Sequence, residues 1–212
     1  MKKNLSISII GFILIQLLFI TSCCNNSQDK KSPVDYVNPY MGNISHLLVP
    51  TYPTVHLPFS MLRVYPERQD FTSDLITGLP VAVTSHRVSS AFSINPVNGT
   101  DSPAQAFVRY TYDNEKVSPY RYSVYLDEEN VQVDFTPSHQ SALYSFLFEK
   151  ENFNRLIINT RNGQLETKDT GVTGYQLLNR NDTKIYAYFE TEQTPLSVEK
   201  LTQESGSGFR LT

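Results

Sequence analysis

The sequence predicts an all-β fold, an antiparallel β-sandwich over residues 34–212, and three observations carry that reading. Apolar and polar residues alternate with period two in several short runs, which puts one set of side chains on a buried face and the other in water. These runs are separated by turn-forming clusters, with no convincing long helix between them. Thirteen tyrosines and twelve phenylalanines, against no tryptophan, suit the core of such a sandwich.

The chain opens with Lys2 and Lys3, an apolar run from Ile7 to Ile20, and then Ile20-Thr21-Ser22 before Cys23. A positive start, a short apolar stretch and small residues ahead of a cysteine describe a bacterial lipoprotein signal over residues 1–22. The apolar run is shorter than the roughly 20 residues a membrane-spanning helix needs, and polar Asn25-Asn26-Ser27-Gln28 follows closely. Cys23 is expected to carry the lipid, with Cys24 as a spare thiol. That places the protein in the bacterial cell envelope, anchored to the outer membrane or its periplasmic face. Residues 23–33 then form a flexible tether. Both cysteines lie in the anchor, so the folded part has no disulfide and no cysteine metal site.

Without residues 1–22 the chain keeps 190 residues, enough for one large β domain, and its net charge goes from −3 to −5 as Lys2 and Lys3 leave. A mildly acidic chain with no basic stripe does not bind nucleic acid on electrostatic grounds.

Between Val37 and Arg68, Pro39, Pro50, Pro53 and Pro58 fix φ and remove backbone donors, so the segment predicts a turn-rich loop. A strand is expected from Phe59 to Tyr65, ended by Pro66. From Asp70 to Gly99 the composition predicts strand, loop, strand, with apolar pieces at Leu79–Val83 and Ala91–Ile94. The loop holds Thr84-Ser85-His86-Arg87-Val88-Ser89-Ser90, a cluster of donors. His86 and Arg87 there could hydrogen-bond sugar hydroxyls or simply anchor a solvated turn.

The clearest β signal follows. Tyr122, Val124 and Leu126 alternate with polar or half-polar neighbours, Asp127-Glu128-Glu129-Asn130 turns the chain, and Val131, Val133 and Phe135 resume the alternation. This predicts an antiparallel hairpin with Val131, Val133 and Phe135 on the buried face. Further strands are expected at Leu143–Phe148, Leu156–Asn159, Tyr175–Leu178 and Ile185–Phe189, and another near Gly208. The acidic tip lacks the spaced Asp pattern that wraps calcium, so it reads as a solvated turn. His46, His56, His86 and His139 are scattered without metal-ligand spacing, so no metal site is expected. The carboxylates gather at turns (Asp127, Glu128, Glu129, Glu149, Glu151, Asp182), and no buried acid–base pair is evident.

Val37-Asn38-Pro39-Tyr40-Met41-Gly42, Tyr52-Pro53-Thr54-Val55, Leu57-Pro58-Phe59-Ser60-Met61 and Pro66 together carry a resemblance. In order and spacing they resemble the amino-terminal domain of glycoside hydrolase family 92, the calcium-dependent exo-acting α-mannosidases. The likeness continues weakly through Ser85–Phe92 and better through Ser118–Phe148. Two family glycines are replaced here, by Thr54 and Ser60, and a side chain at either position narrows the space beside the backbone. The resemblance implies a supersandwich-like domain and mannose-containing glycans as partners. It implies that the catalytic acid, base and calcium ligands belong to a separate helical (α/α) barrel domain, leaving no catalytic residue and no cofactor in this chain. It also implies sugar contact by Thr54, His86 and Arg87 at an edge facing that barrel.

Three functions follow as alternatives. The chain is the amino-terminal part of a glycan-trimming α-mannosidase, inactive alone and cut off before its catalytic domain or acting with a separate partner. Otherwise it is a stand-alone glycan-binding surface lipoprotein, or a structural envelope lipoprotein with no ligand. Fold does not decide among them, because function lives in the site.

Overall fold

The computed structural model describes residues 31–43, 51–69, 73–84, 90–99, 108–150, 153–178, 183–203 and 206–211. The chain divides into two units, Met1–Tyr36 and Val37–Thr212. In the first, a 3-10 turn spans Pro33–Tyr36. The backbone amide of Ser32 donates to Asp35 Oδ2 (2.7 Å) and that of Asp35 donates back to the Ser32 carbonyl (2.9 Å), a reciprocal cap.

The second unit is built of antiparallel strands, with no α-helix among the described residues. In chain order they are β1 (Val55–His56), β2 (Arg63–Val64), β3 (Glu67–Arg68), β4 (Ile76–Val83), β5 (Ser90–Asn98), β6 (Tyr112–Ser118), β7 (Arg121–Leu126) and β8 (Val131–Pro137). Then come β9 (Ala142–Phe148), β10 (Asn154–Thr160), β11 (Gly163–Lys168), β12 (Gly171–Leu178), β13 (Thr183–Phe189), β14 (Val198–Gln203) and β15 (Gly206–Leu211). They form a six-stranded sheet ordered β14-β15-β10-β5-β4-β3, a four-stranded sheet β6-β7-β8-β9, a three-stranded sheet β11-β12-β13, and the pair β1-β2.

Two cores hold these sheets in a sandwich-like arrangement. The inner face of the four-stranded sheet (Tyr122, Val124, Leu126, Val131, Val133, Phe135) packs with Ile76 and Leu79 of β4 and with Val55 and Val64 of the small pair. The predicted hairpin is present, with Leu126 opposite Val131 and Tyr122 opposite Phe135. Val131, Val133 and Phe135 are fully buried, as the period of two requires. Asn130 closes the turn in the left-handed region at φ 48°, a conformation asparagine tolerates. The second core joins Ala82, Ala91, Phe92 and Ile158 of the six-stranded sheet to Leu165 and Val172 of the three-stranded one.

Proline stands inside two paired strands. Pro80 in β4 faces Ser93, and Pro96 in β5 faces Leu156. The Tyr144 hydroxyl donates to the Pro80 carbonyl (2.6 Å) and the Tyr110 hydroxyl to the Pro96 carbonyl (2.9 Å), so two rings from outside this sheet are pinned to it. Strand β5 therefore continues past the expected end at Ile94.

The expected strand from Phe59 to Tyr65 is corrected to the two residues of β2. Phe59 sits at φ 59° with its ring fully exposed, a conformation that breaks a ladder. Ser60 explains the turn: its hydroxyl donates to the Ser138 carbonyl (2.8 Å) and accepts from the Leu62 amide (3.1 Å). The chain resumes pairing beyond Pro66, at β3, where it had been expected to stop.

Candidate functional site

A bulge sets up the most unusual chemistry in the fold. Strand β3 pairs with β4 through Glu67 opposite Gly78 and then Arg68 opposite Ile76, skipping Thr77. Two neighbouring residues are thereby turned to different surroundings, as bulges do beside functional sites. Both are buried, although Glu and Arg are among the residues least often found so.

Glu67 is 8 % exposed and lies against Gly78, where an added Cβ would stand 2.8 Å from Glu67 Oε2. The absent side chain is what admits the carboxylate. Ser90 donates its hydroxyl to Glu67 Oε1, and Arg161 Nη2 donates to Oε2 at 3.2 Å. Gln176 of β12 extends the cluster: its Nε2 donates to the Ser90 carbonyl (2.9 Å), while its Oε1 accepts from the Phe92 amide (2.9 Å) and the Thr160 hydroxyl (3.2 Å). Ser93 and Asn159 complete the lining of a shallow polar hollow.

Phe92 is strained. It is buried within β5 yet has φ 55°, an outlier for a bulky residue. Its amide is held by Gln176 and its ring packs edge-on to Phe189 at 5.6 Å, so surroundings on both sides fix the conformation. Strain of this kind, of order 1–3 kcal/mol, persists only where neighbours over-determine it and gathers at binding sites.

Arg68 turns the other way. It pairs with Glu115 Oε1, which also accepts from the Tyr122 hydroxyl at 3.0 Å, and its guanidinium lies 4.7 Å from the centroid of the Tyr112 ring. Glu115 reaches this position through a second bulge, between Asp113 and Lys116, with Asn114 at φ 55°. Tyr40 approaches Glu115 Oε2 at 3.5 Å; burial, then the Glu115 charge, pushes its hydroxyl up to about 12.

Thr54 is half-buried and directly precedes β1. Its loop is tied to the sheet by Tyr52, which stacks on Tyr65 (4.2 Å, 9°) and packs with Val83 at the end of β4. Burial, with Tyr52 and Glu67 beside it, raises the Tyr65 hydroxyl to about 12. Val83 is opposite Ser90, so the Thr54 loop and Glu67 are tied to the same end of the β4-β5 pair. His86 and Arg87, between those strands, lie outside the described residues, as does Cys23.

The hairpin tip is not merely solvated. Glu128 accepts from the Thr111 amide (2.8 Å) and hydroxyl (2.9 Å), and Glu129 accepts from the Asn98 amide. Burial raises the Glu129 pKa against the pull of that hydrogen bond. Sequence reasoning missed Glu67, Arg68 and Glu115, whose partners are far away in the chain. Among the described residues no three His, Cys, Asp or Glu side chains converge as metal ligands would.

The fold and this edge define a class: an antiparallel β domain whose built polar cluster lies where strand ends and loops meet. The chain matches the glycosyl hydrolase family 92 N-terminal domain over residues 36–208, and it belongs to that family. Its fold is similar to that of a family GH92 inverting mannosidase from Bacteroides thetaiotaomicron, with a TM-score of 0.70 and 20 % identity over 85 % of this chain and 30 % of that one. A family GH92 alpha-mannosidase from the same organism gives a TM-score of 0.66 and 16 % identity over 84 % of this chain and 31 % of that one. The chain thus spans about a third of the length of these solved structures. No curated protein matches it.

Proposed function

We propose that this chain is the amino-terminal, supersandwich-like domain of an exo-acting α-mannosidase that trims mannose-containing glycans, working with a helical-barrel catalytic domain in cis or on a separate chain. The family match over residues 36–208 supports this most directly. The strained Phe92 and buried Glu67 supply the geometry: they stiffen the end of β4 and β5 from which the His86-Arg87 loop departs. In this reading Thr54, His86 and Arg87 touch sugar at an edge facing the catalytic domain. The acid, base and calcium of hydrolysis are supplied by that domain. Inverting hydrolysis needs two carboxylates about 6.5–9.5 Å apart with a water between them, and Glu67 and Glu115 are each already committed to an arginine.

The purified chain is expected to release no mannose from α-linked mannobiose, with or without calcium; release would overturn the reading. Joined to the catalytic part of a family member, it should restore hydrolysis, and His86→Ala or Arg87→Ala should then lower turnover. Unchanged turnover in an active fusion would return that loop to a solvated turn.

We further propose that Cys23 carries the lipid of an envelope anchor, supported by Ile20-Thr21-Ser22 ahead of it. Mass spectrometry of the mature amino terminus should find acylated Cys23. Modification at Cys24 instead would overturn the assignment.

A further inference from the structure

The outer face of the three-stranded sheet has a composition that no part of the proposed mannosidase site accounts for. Register puts Tyr175 opposite Tyr186, and Tyr188 two residues further along β13, opposite Thr173 and on the same face. Tyr186 is 70 % and Tyr188 48 % exposed, unusual for large rings at neighbouring positions on one face. Two residues along a strand separate them by roughly 7 Å.

The rings are held in place. Tyr188 lies over Gly171, where an added Cβ would stand 2.9 Å from Cε2 and Cζ, so the glycine is what lets the ring lie against the strand. Lys184 Nζ sits 4.1 Å from the centroid of the Tyr175 ring, and Tyr175 meets Tyr186 at 6.0 Å with a tilt of 53°. Fixing rings beforehand reduces the entropy lost when something docks on them.

Apart from half-buried Leu177, opposite Lys184, the flanking side chains on this face are polar. Gln164 and Glu166 of β11 are exposed on the flank. Together with Lys184 and the tyrosine hydroxyls they offer both donors and acceptors beside apolar ring faces. A protein partner favours interface centres depleted in Lys and Glu. A pyranose, with one apolar C–H face and a rim of hydroxyls, matches rings flanked by mixed polar groups.

We propose that the β12-β13 face is a binding surface for a neutral polysaccharide of pyranose units, with Tyr186 and Tyr188 as stacking platforms and Gln164, Glu166 and Lys184 as the polar rim. This assignment does not rest on the mannosidase reading. The full chain is to be run in native gels containing an α-linked mannan, a dextran or a xylan. Retardation is expected in at least one gel. Tyr186→Ala and Tyr188→Ala should each weaken apparent binding about tenfold or more while circular dichroism and melting temperature stay unchanged, and Tyr186→Phe should retain it. No retardation of the folded chain in any gel would overturn the proposal, as would equal retardation of a folded Tyr186→Ala/Tyr188→Ala double variant. Retardation without mannosidase activity in the fused protein would sink only the mannosidase reading, and activity without retardation only this one.

Discussion

Gly78 and Glu67 depend on each other. Gly78→Ala drives a Cβ to 2.8 Å from a buried carboxylate oxygen and 3.3 Å from Ser93 Cβ, and is expected to cost about 1–3 kcal/mol in urea unfolding. In a Glu67→Ala background the same change should cost less by about 1 kcal/mol, since the clashing atom is gone; equal costs would refute the coupling. Glu129 gives a test in pH. Its folded pKa is raised by burial, so the folded state holds the proton more tightly than the unfolded one. Stability from this group is therefore fullest below the ordinary glutamate value of 4.5 and is lost as pH rises above it. Glu129→Gln should flatten that decline in melting temperature between about pH 4 and pH 7, and an unaltered profile would contradict the cause given. Glu129 was legible as part of an acidic turn but not as a half-buried group, and neither Gly78 nor Glu67 stood out in the sequence. Glu67 meets Arg161 across 94 residues, and nothing local marks a carboxylate for burial when its partner is so distant.

At the scale of elements, strands with strict alternation were legible and strands with bulges or polar faces were not. The β7-β8 hairpin follows from period two alone. Strand β6, Tyr112–Ser118, hides its pairing behind a bulge and a run of Asp, Asn, Glu and Lys. Strand β11 offers Leu165 as its only buried residue, too little to signal a face. The two bulges matter jointly because one delivers Arg68 and the other Glu115. Arg68→Met should cost about 3–5 kcal/mol in chemical denaturation by leaving Glu115 buried without its cation. Adding Glu115→Leu should recover much of that loss, and no recovery would mean that packing around Arg68, rather than charge, sets the cost.

On the scale of the whole molecule, the antiparallel class was readable from alternation and turn clusters and the family from the motifs between Val37 and Pro66, whereas the packing of one sheet on another was not. Pro80 and Pro96 illustrate the limit: alone each argues against an interior strand, yet both stand in paired strands, and their carbonyls are bonded by tyrosine hydroxyls from far along the chain. If Cys23 bears the anchor, Cys23→Ala should shift the protein from the membrane to the soluble fraction on fractionation, while Cys24→Ala should leave it membrane-bound. The mid-strand prolines also bear on the chain before it folds. Apolar segments such as Leu79–Val83 and Ala91–Val97 have the makings of cross-β stacks, in which identical strands from many copies pair in register. A proline at the same level in every copy removes one donor from each layer of such a stack. These two residues are therefore expected to act as gatekeepers against fibril growth while the chain is extended, and in the folded sheet each proline carbonyl is taken up by a tyrosine hydroxyl.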